Sequence, residues 1–136
     1  IRLLAEFDNY KRRTSEEKSN IIKHAVSDFA QDWITVIDDL ERTIDSIKDL
    51  NKTEPLINGI LLIYEKCIKI LSDNDITPFK SIGEKFDPEI HDAMASEEVV
   101  NKEDGIILSE YQKGYKFHEK VIRHAKVIVN KKKVSV

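Results

Sequence analysis

The chain has 136 residues and a mass of 15.7 kDa, with 35% charged and 40% hydrophobic residues and a net charge of -3. That length suits one compact domain or two small ones, and a core can form without disulfides or a metal. Its one cysteine, Cys67, excludes an internal disulfide framework and fits a reducing, cytoplasmic setting, while no apolar run approaches the ~18 residues of a membrane span and no signal peptide opens the chain.

Four glycines and three prolines occur, all after residue 54. With no breaker and many good helix formers, residues 1 to about 49 are predicted to form one helix. Such a helix spans about 75 Å, too long to fold back within a domain this small. Leu3, Phe7, Tyr10 and Thr14 start an apolar stripe that is interrupted over residues 15–19. It resumes at Ile22, Val26, Phe29, Trp33, Ile37, Leu40, Ile44 and Ile47, with Ile22, Trp33 and Ile44 eleven residues apart. Eleven residues in three turns keep the seam nearly straight or slightly right-handed. A narrow stripe on a long charged helix must be buried, and a second copy is the natural partner. A homodimer is therefore expected through Phe7, Tyr10, Ile22, Val26, Phe29, Trp33, Ile37, Leu40 and Ile44; spacing leaves parallel and antiparallel pairings open. The competing arrangement is a surface helix packed on its own domain.

Residues 51–55 read as a stop and restart, with Thr53 as N-cap and Pro55 in the first turn. A second helix is predicted to about Ser72, with Ile57, Ile60, Leu61, Tyr64, Ile68 and Leu71 on one face. Two such hairpins make a four-helix bundle. Gly59 inside this helix suggests a close packing contact, and Cys67 reads as a core thiol. Beyond Asp75, Pro78, Gly83, Pro88, Gly105 and Gly114 punctuate short apolar runs. Phe86–Glu89 is predicted to be an N-capped short helical turn carrying Ile90, His91 and Met94. Residues 103–105 read as a hairpin turn between Val99-Val100 and residues 106–108. Residues 120–130 alternate as one strand, with Val121, Arg123, Ala125, Val127 and Val129 on one face. The expected fold is α+β: a dimerising stalk (1–34), a four-helix-bundle segment (35–76) and a C-terminal β-domain (77–136).

Catalytic chemistry has no support. The chain holds no G-x-x-x-x-G-K, G-x-S-x-G or G-x-G-x-x-G. His24, His91, His118 and His124 lack the spacing of a zinc site, and Asp87 in the polar cluster of residues 84–92 reads as a cap. Neither a cofactor nor a metal is expected. Lys11-Arg12-Arg13 and Lys131-Lys132-Lys133 are basic, but acidic neighbours surround the first run and the second ends the chain, so nucleic acid is not expected as a partner.

Four blocks of sequence resemble one family. Glu6-Phe7-Asp8-Asn9-Tyr10-Lys11-Arg12-Arg13 resembles the E-F-x-N-Y-[RK]-[RK]-R segment of GrpE, the nucleotide exchange factor of DnaK-type chaperones. Residues 36–42, V-I-D-D-L-E-R, are similar to its V-[LI]-D-[ND]-L-E-R, and residues 83–94 to its G-x-x-F-D-P-x-x-H-x-A-[VM]. Gln112-Lys113-Gly114-Tyr115 and residues 121–129 resemble its closing Q-K-G-Y and [VL]-[LI]-R-x-A-x-V-x-V. The resemblance implies a parallel homodimer whose β-domain binds the chaperone's nucleotide-binding domain and promotes ADP release, with heat-sensitive helices. It places Gln112, Lys113, Gly114, Arg123, Val127 and Val129 on the chaperone-serving side, with Arg123 as charged anchor, Tyr115 as core, and Arg12 and Arg13 as a secondary contact. Asp87, Pro88 and His91 match as structural residues.

Three departures stand out. Thr35 replaces a usual proline, so the helix is expected to run straight through. Asn74-Asp75-Ile76 stands where a glycine is common, and Glu119-Lys120 replaces a usual G-R. The family's charged N-terminal extension is absent from the sequence, so Ile1 is expected to be a truncation point. The charge is also polarised, since residues 113–136 carry eight Lys or Arg against Glu119 alone.

Overall fold

The computed structural model describes residues 1–47 and 55–133. Helix α1 (Arg2–Ser46) and helix α2 (Pro55–Asp73) precede six strands: β1 (Ile76–Pro78), β2 (His91–Glu97), β3 (Ile107–Gln112), β4 (Tyr115–Phe117), β5 (Lys120–Arg123) and β6 (Ala125–Asn130). The fold class is α+β, as expected. Thr53 and the other residues of the expected stop before Pro55 lie outside the described residues. None of the described helices is long and apolar enough to cross a membrane.

Helix α1 has 45 residues, which corresponds to about 68 Å. It passes through Thr35 unbroken; the Thr35 hydroxyl donates to the Asp32 carbonyl (2.6 Å), a local bond that leaves the helix intact. Residues 1–25 are exposed apart from half-buried Thr14. Further along, Ser27, Ala30, Ile34 and Ile37 are buried at steps of three and four. That face is turned by one residue from the predicted stripe. Ile34 faces the protomer's own core, while Phe29 and Trp33 stay 66% and 50% exposed.

The C-terminal part consists of two three-stranded sheets. In one, β4 lies between β1 and β5, all antiparallel. In the other, β6 lies between β2, which runs parallel to it, and β3, which runs antiparallel. Ala30 and Ile34 of α1 meet Ile76 and Tyr115 in a core flanked by Val26, Leu71, Phe117 and Ile122. A second core of Ile107, Ala125 and Val127 takes in Phe79, Phe86 and Val129.

Three local expectations need correction. Residues 120–130 form two strands in different sheets, parted at His124. The alternation persists across the break, so the pattern hides it; the ladder changes because the Ala125 amide turns to the Ile90 carbonyl (3.1 Å). Val99 and Val100 are not a hairpin strand. Their loop is held by the fully buried Asn130, whose Oδ1 accepts from the Val99 amide (2.8 Å) and whose Nδ2 donates to the carbonyls of Val99, Lys102 and Glu103 (3.1, 2.9 and 2.9 Å). Gly59 has no tight neighbour within the protomer, since a Cβ there meets nothing within 4 Å. The turn after Phe86 does form: Asp87 Oδ1 accepts from the Glu89 amide (3.0 Å), and the Asp87 carbonyl accepts from the Ile90 and His91 amides (3.1 and 2.8 Å). Strand β2 then starts at His91, which puts Met94 on a strand.

Candidate site at the junction of the helices and the sheets

Arg123 ends β5 where the sheets meet the middle of α1. Its Nη1 donates to Asp38 Oδ2 (2.6 Å) and its Nη2 to Asp38 Oδ1 (3.0 Å), a two-pronged pairing that suits the planar guanidinium. Its Nε donates to the Lys113 carbonyl (3.0 Å), which Nη2 also approaches. Beneath it lies the Tyr115 ring, 5.2 Å from the guanidinium carbon. The two side chains of the pair are only 15% and 16% exposed.

Neighbouring residues extend this junction. Gln112 Nε2 donates to Asp38 Oδ2 (3.0 Å), so one carboxylate of α1 holds both β3 and β5. Lys113 Nζ lies 3.4 Å from Glu41 Oε1 of α1 and donates to the Tyr64 hydroxyl of α2 (3.3 Å). The Tyr64 hydroxyl donates to Glu41 Oε1 (2.8 Å). Asp38, Glu41, Tyr64, Gln112 and Lys113 line a cleft of about 740 Å³ between residues 35–45 and strand β3.

Protonation follows from these contacts. Burial pulls the Lys113 ammonium down, but Tyr64 and Glu41 outweigh it, and the group ends above its ordinary value, firmly charged. Burial, with the Glu41 acceptor, pushes the Tyr64 phenol up. Burial pushes the Glu110 carboxyl up as well and raises the Tyr115 phenol far enough to keep it neutral. These groups can hold elements together; no nucleophile with an activating base stands among them. Among the described residues no group of three or more His, Cys, Asp or Glu is placed to hold a metal ion.

The residues expected on the chaperone-serving side fall into two sets. Gln112, Lys113 and Arg123 come together at this junction and are turned toward the helices. Gly114 and Val127 lie beneath the surface. Val127 is fully buried, and at Gly114 a Cβ would overlap the Phe79 ring and sit 2.8 Å from the Ala125 amide nitrogen. The glycine therefore serves a close approach; the left-handed glycines are Gly83 and Gly105. Burial corrects the reading of Gly114 and Val127 as contact residues and makes them supports. Val129 is half-buried, packed on the Ile107 core. Arg12 and Arg13 are exposed on the free part of α1, where Arg12 donates to Asn9 (3.3 Å).

Along the expected dimer stripe, Phe7, Tyr10, Ile22, Phe29 and Trp33 are exposed, Val26, Leu40 and Ile44 are half-buried, and Ile37 is buried. Phe29 and Trp33 line an apolar groove of about 620 Å³ with Ala25, Cys67 and Ile70. The partners Asp38, Glu41 and Tyr64 were not singled out by the sequence as site residues. A signal existed, since Asp38 and Glu41 sit in the V-I-D-D-L-E-R block.

The family model of GrpE matches residues 1–131. The chain is similar to Protein GrpE of Oceanobacillus iheyensis, with 37% identity over 131 residues, which are 96% of this chain and 68% of that protein. It is likewise 37% identical to Protein GrpE of Parabacteroides distasonis over 130 residues, 95% of this chain and 67% of that protein. Against Protein GrpE of Methanosphaera stadtmanae the identity is 37% over 131 residues, 96% of this chain and 73% of that protein.

Proposed function

The chain belongs to the GrpE family, and from that premise we propose that it is a co-chaperone that promotes nucleotide exchange on a DnaK-type chaperone. The observation that carries the reading is the family match over residues 1–131, which takes in both helices and all six strands. The β-domain binds the chaperone's nucleotide-binding domain and favours a form with one lobe swung outward. ADP then loses contacts on one side of its cleft and leaves faster. The factor acts as a ligand with higher affinity for the open state than for the closed one, and that difference limits its effect. It transfers no group, which is consistent with a junction built only of structural ion pairs and hydrogen bonds. The basic residues of 113–136 other than Lys113 and Arg123, which pair with α1, favour an acidic partner surface.

The working form is a parallel homodimer, with α1 and α2 of two protomers paired in a bundle and the segments 1–34, 35–76 and 77–136 as its parts. Exposed apolar residues support this: Phe29, Trp33, Leu62, Ile63 and Ile70 are each at least half exposed within a single protomer. A face this apolar is rarely left to water. The free part of α1 carries Arg12 and Arg13 as a secondary chaperone contact. Its few contacts with the rest of the protomer make it the first element to melt on heating, which would lower exchange reversibly.

The test is release of a fluorescent ADP analogue from a DnaK-type chaperone. Acceleration on adding the protein is expected, and no acceleration at saturating protein would overturn the reading.

A further inference from the structure

We propose that Asp38 and Arg123 form a positioning clamp that sets the angle of the β-domain on α1, so that Arg123 serves the chaperone by holding the docking surface rather than by touching it. The inference rests on the exchange reading for its consequence, but the clamp itself is a property of the free protein.

Three observations carry it. The first is that Arg123 is fully engaged. Its guanidinium donates to both oxygens of Asp38 and to the Lys113 carbonyl, and it covers Tyr115, while only 15% of the side chain remains exposed. An arginine so occupied has little left to offer a partner, and freeing it would strand the Asp38 carboxylate, itself 16% exposed.

The second is that the covalent link joins the sheets to α2, so their angle on α1 is held by contacts and not by the chain itself. Only Asn74 and Asp75 separate α2 from β1. Among the described residues, the polar side-chain bridges between α1 and the sheets include Asp38 with Arg123 and Gln112, Glu41 with Lys113, and the Gln31 amide donating to the Ile122 carbonyl (2.7 Å). Both β3 and β5 converge on the Asp38 carboxylate.

The third is leverage. A unit of about 60 residues is roughly 20 Å across, so a 10° tilt at the clamp moves its far surface by about 3.5 Å. Docking that must open a cleft is sensitive to displacements of that size. The clamp and the apolar contact of Ala30 and Ile34 with Ile76 and Tyr115 lie on the same side of α1. The apolar contact supplies adhesion, and the paired charges supply direction.

The experiment combines two readouts. In a Cys67→Ala background, spin labels at Thr43→Cys on α1 and Ser96→Cys on β2, both exposed positions, report the distance between the two parts. Labelled chains are diluted with unlabelled ones so that each assembly carries one labelled pair. The same substitutions are assayed for ADP release from the chaperone: Asp38→Asn, Arg123→Gln and the two combined. A clamp predicts a broadened distance distribution in every variant. It also predicts that each single change lowers the maximal release rate by a similar factor, about three- to tenfold, and that the double change is no worse than either. Circular dichroism checks that the helices remain formed. The proposal is overturned if Asp38→Asn keeps the parent's release rate while Arg123→Gln loses it, since Arg123 would then act by direct contact. It is also overturned if the distance distribution is unchanged. If the parent protein gives no acceleration at all, the exchange reading fails, and the labels still decide the clamp.

Discussion

Replacing Trp33 by alanine tests the pairing of protomers most sharply. Trp33 is 50% exposed on the face of α1 that lines the apolar groove with Phe29 and Ile70. A tryptophan side chain buries up to about 200 Å², so about 100 Å² is left for a partner to cover. At about 25 cal/mol per Å² that area is worth about 2.5 kcal/mol. A two-fold dimer counts it twice, about 5 kcal/mol for full cover and about 2.5 kcal/mol for half cover. Each 1.4 kcal/mol is tenfold, so the dimer Kd should rise by about 60-fold to about 4,000-fold. Sedimentation equilibrium across a concentration series measures it. Val100→Ala is the control: Val100 is 78% exposed but stands on the loop after β2 and does not line the groove. A Trp33→Ala protein that dimerises as tightly as the parent would refute the assignment of this face.

Three further substitutions or conditions probe the fold beneath the site. Gly114→Ala should destabilise the β-domain by about 2 to 3 kcal/mol in denaturant melts, because the new Cβ meets the Phe79 ring and the backbone of Ala125; a change below 0.5 kcal/mol would contradict the close approach. Asp75 has φ 63°, a conformation that costs a residue with a Cβ. Asp75→Gly should stabilise by about 0.5 to 1 kcal/mol in the same assay, even after losing the exposed pair with His118. His91 is buried between Phe79 and Phe86, and its Nδ1 accepts from the Asp87 amide. Burial lowers its pKa below 6.5. The unfolded chain therefore takes up the proton first as pH falls, and His91 contributes stability that is present above pH 6.5 and lost below it. Melts at pH 7.5 and pH 5.5 should show this loss, and His91→Phe should reduce it.

The helices were legible because their determinants are local. The absence of glycine and proline before residue 55 and the three-four spacing of apolar residues act within a turn or two, and α1 and α2 follow them closely. Which side of α1 faces inward was less legible. Two stripes run side by side, and only contact with Ile76 and Tyr115 selects Ala30 and Ile34 over Phe29 and Trp33. The strands were harder because pairing is non-local: β2 runs parallel to β6 across more than thirty residues, and alternation along one strand carries no record of its partner. The break at His124 leaves the period-two pattern intact, which is why two strands read as one. At the site, the importance of Gln112, Lys113 and Arg123 was visible in the motif, but their direction was not. Asp38 lies 85 residues from Arg123, and no spacing rule joins a helix to a strand over that distance.

The most direct test of the account is stopped-flow release of a fluorescent ADP analogue from a DnaK-type chaperone at increasing concentrations of this protein. The release rate is expected to rise and saturate as the chaperone fills, and to fall together with dimer affinity in Trp33→Ala. A release rate independent of the protein's concentration, with a complex detectable by co-elution, would contradict it.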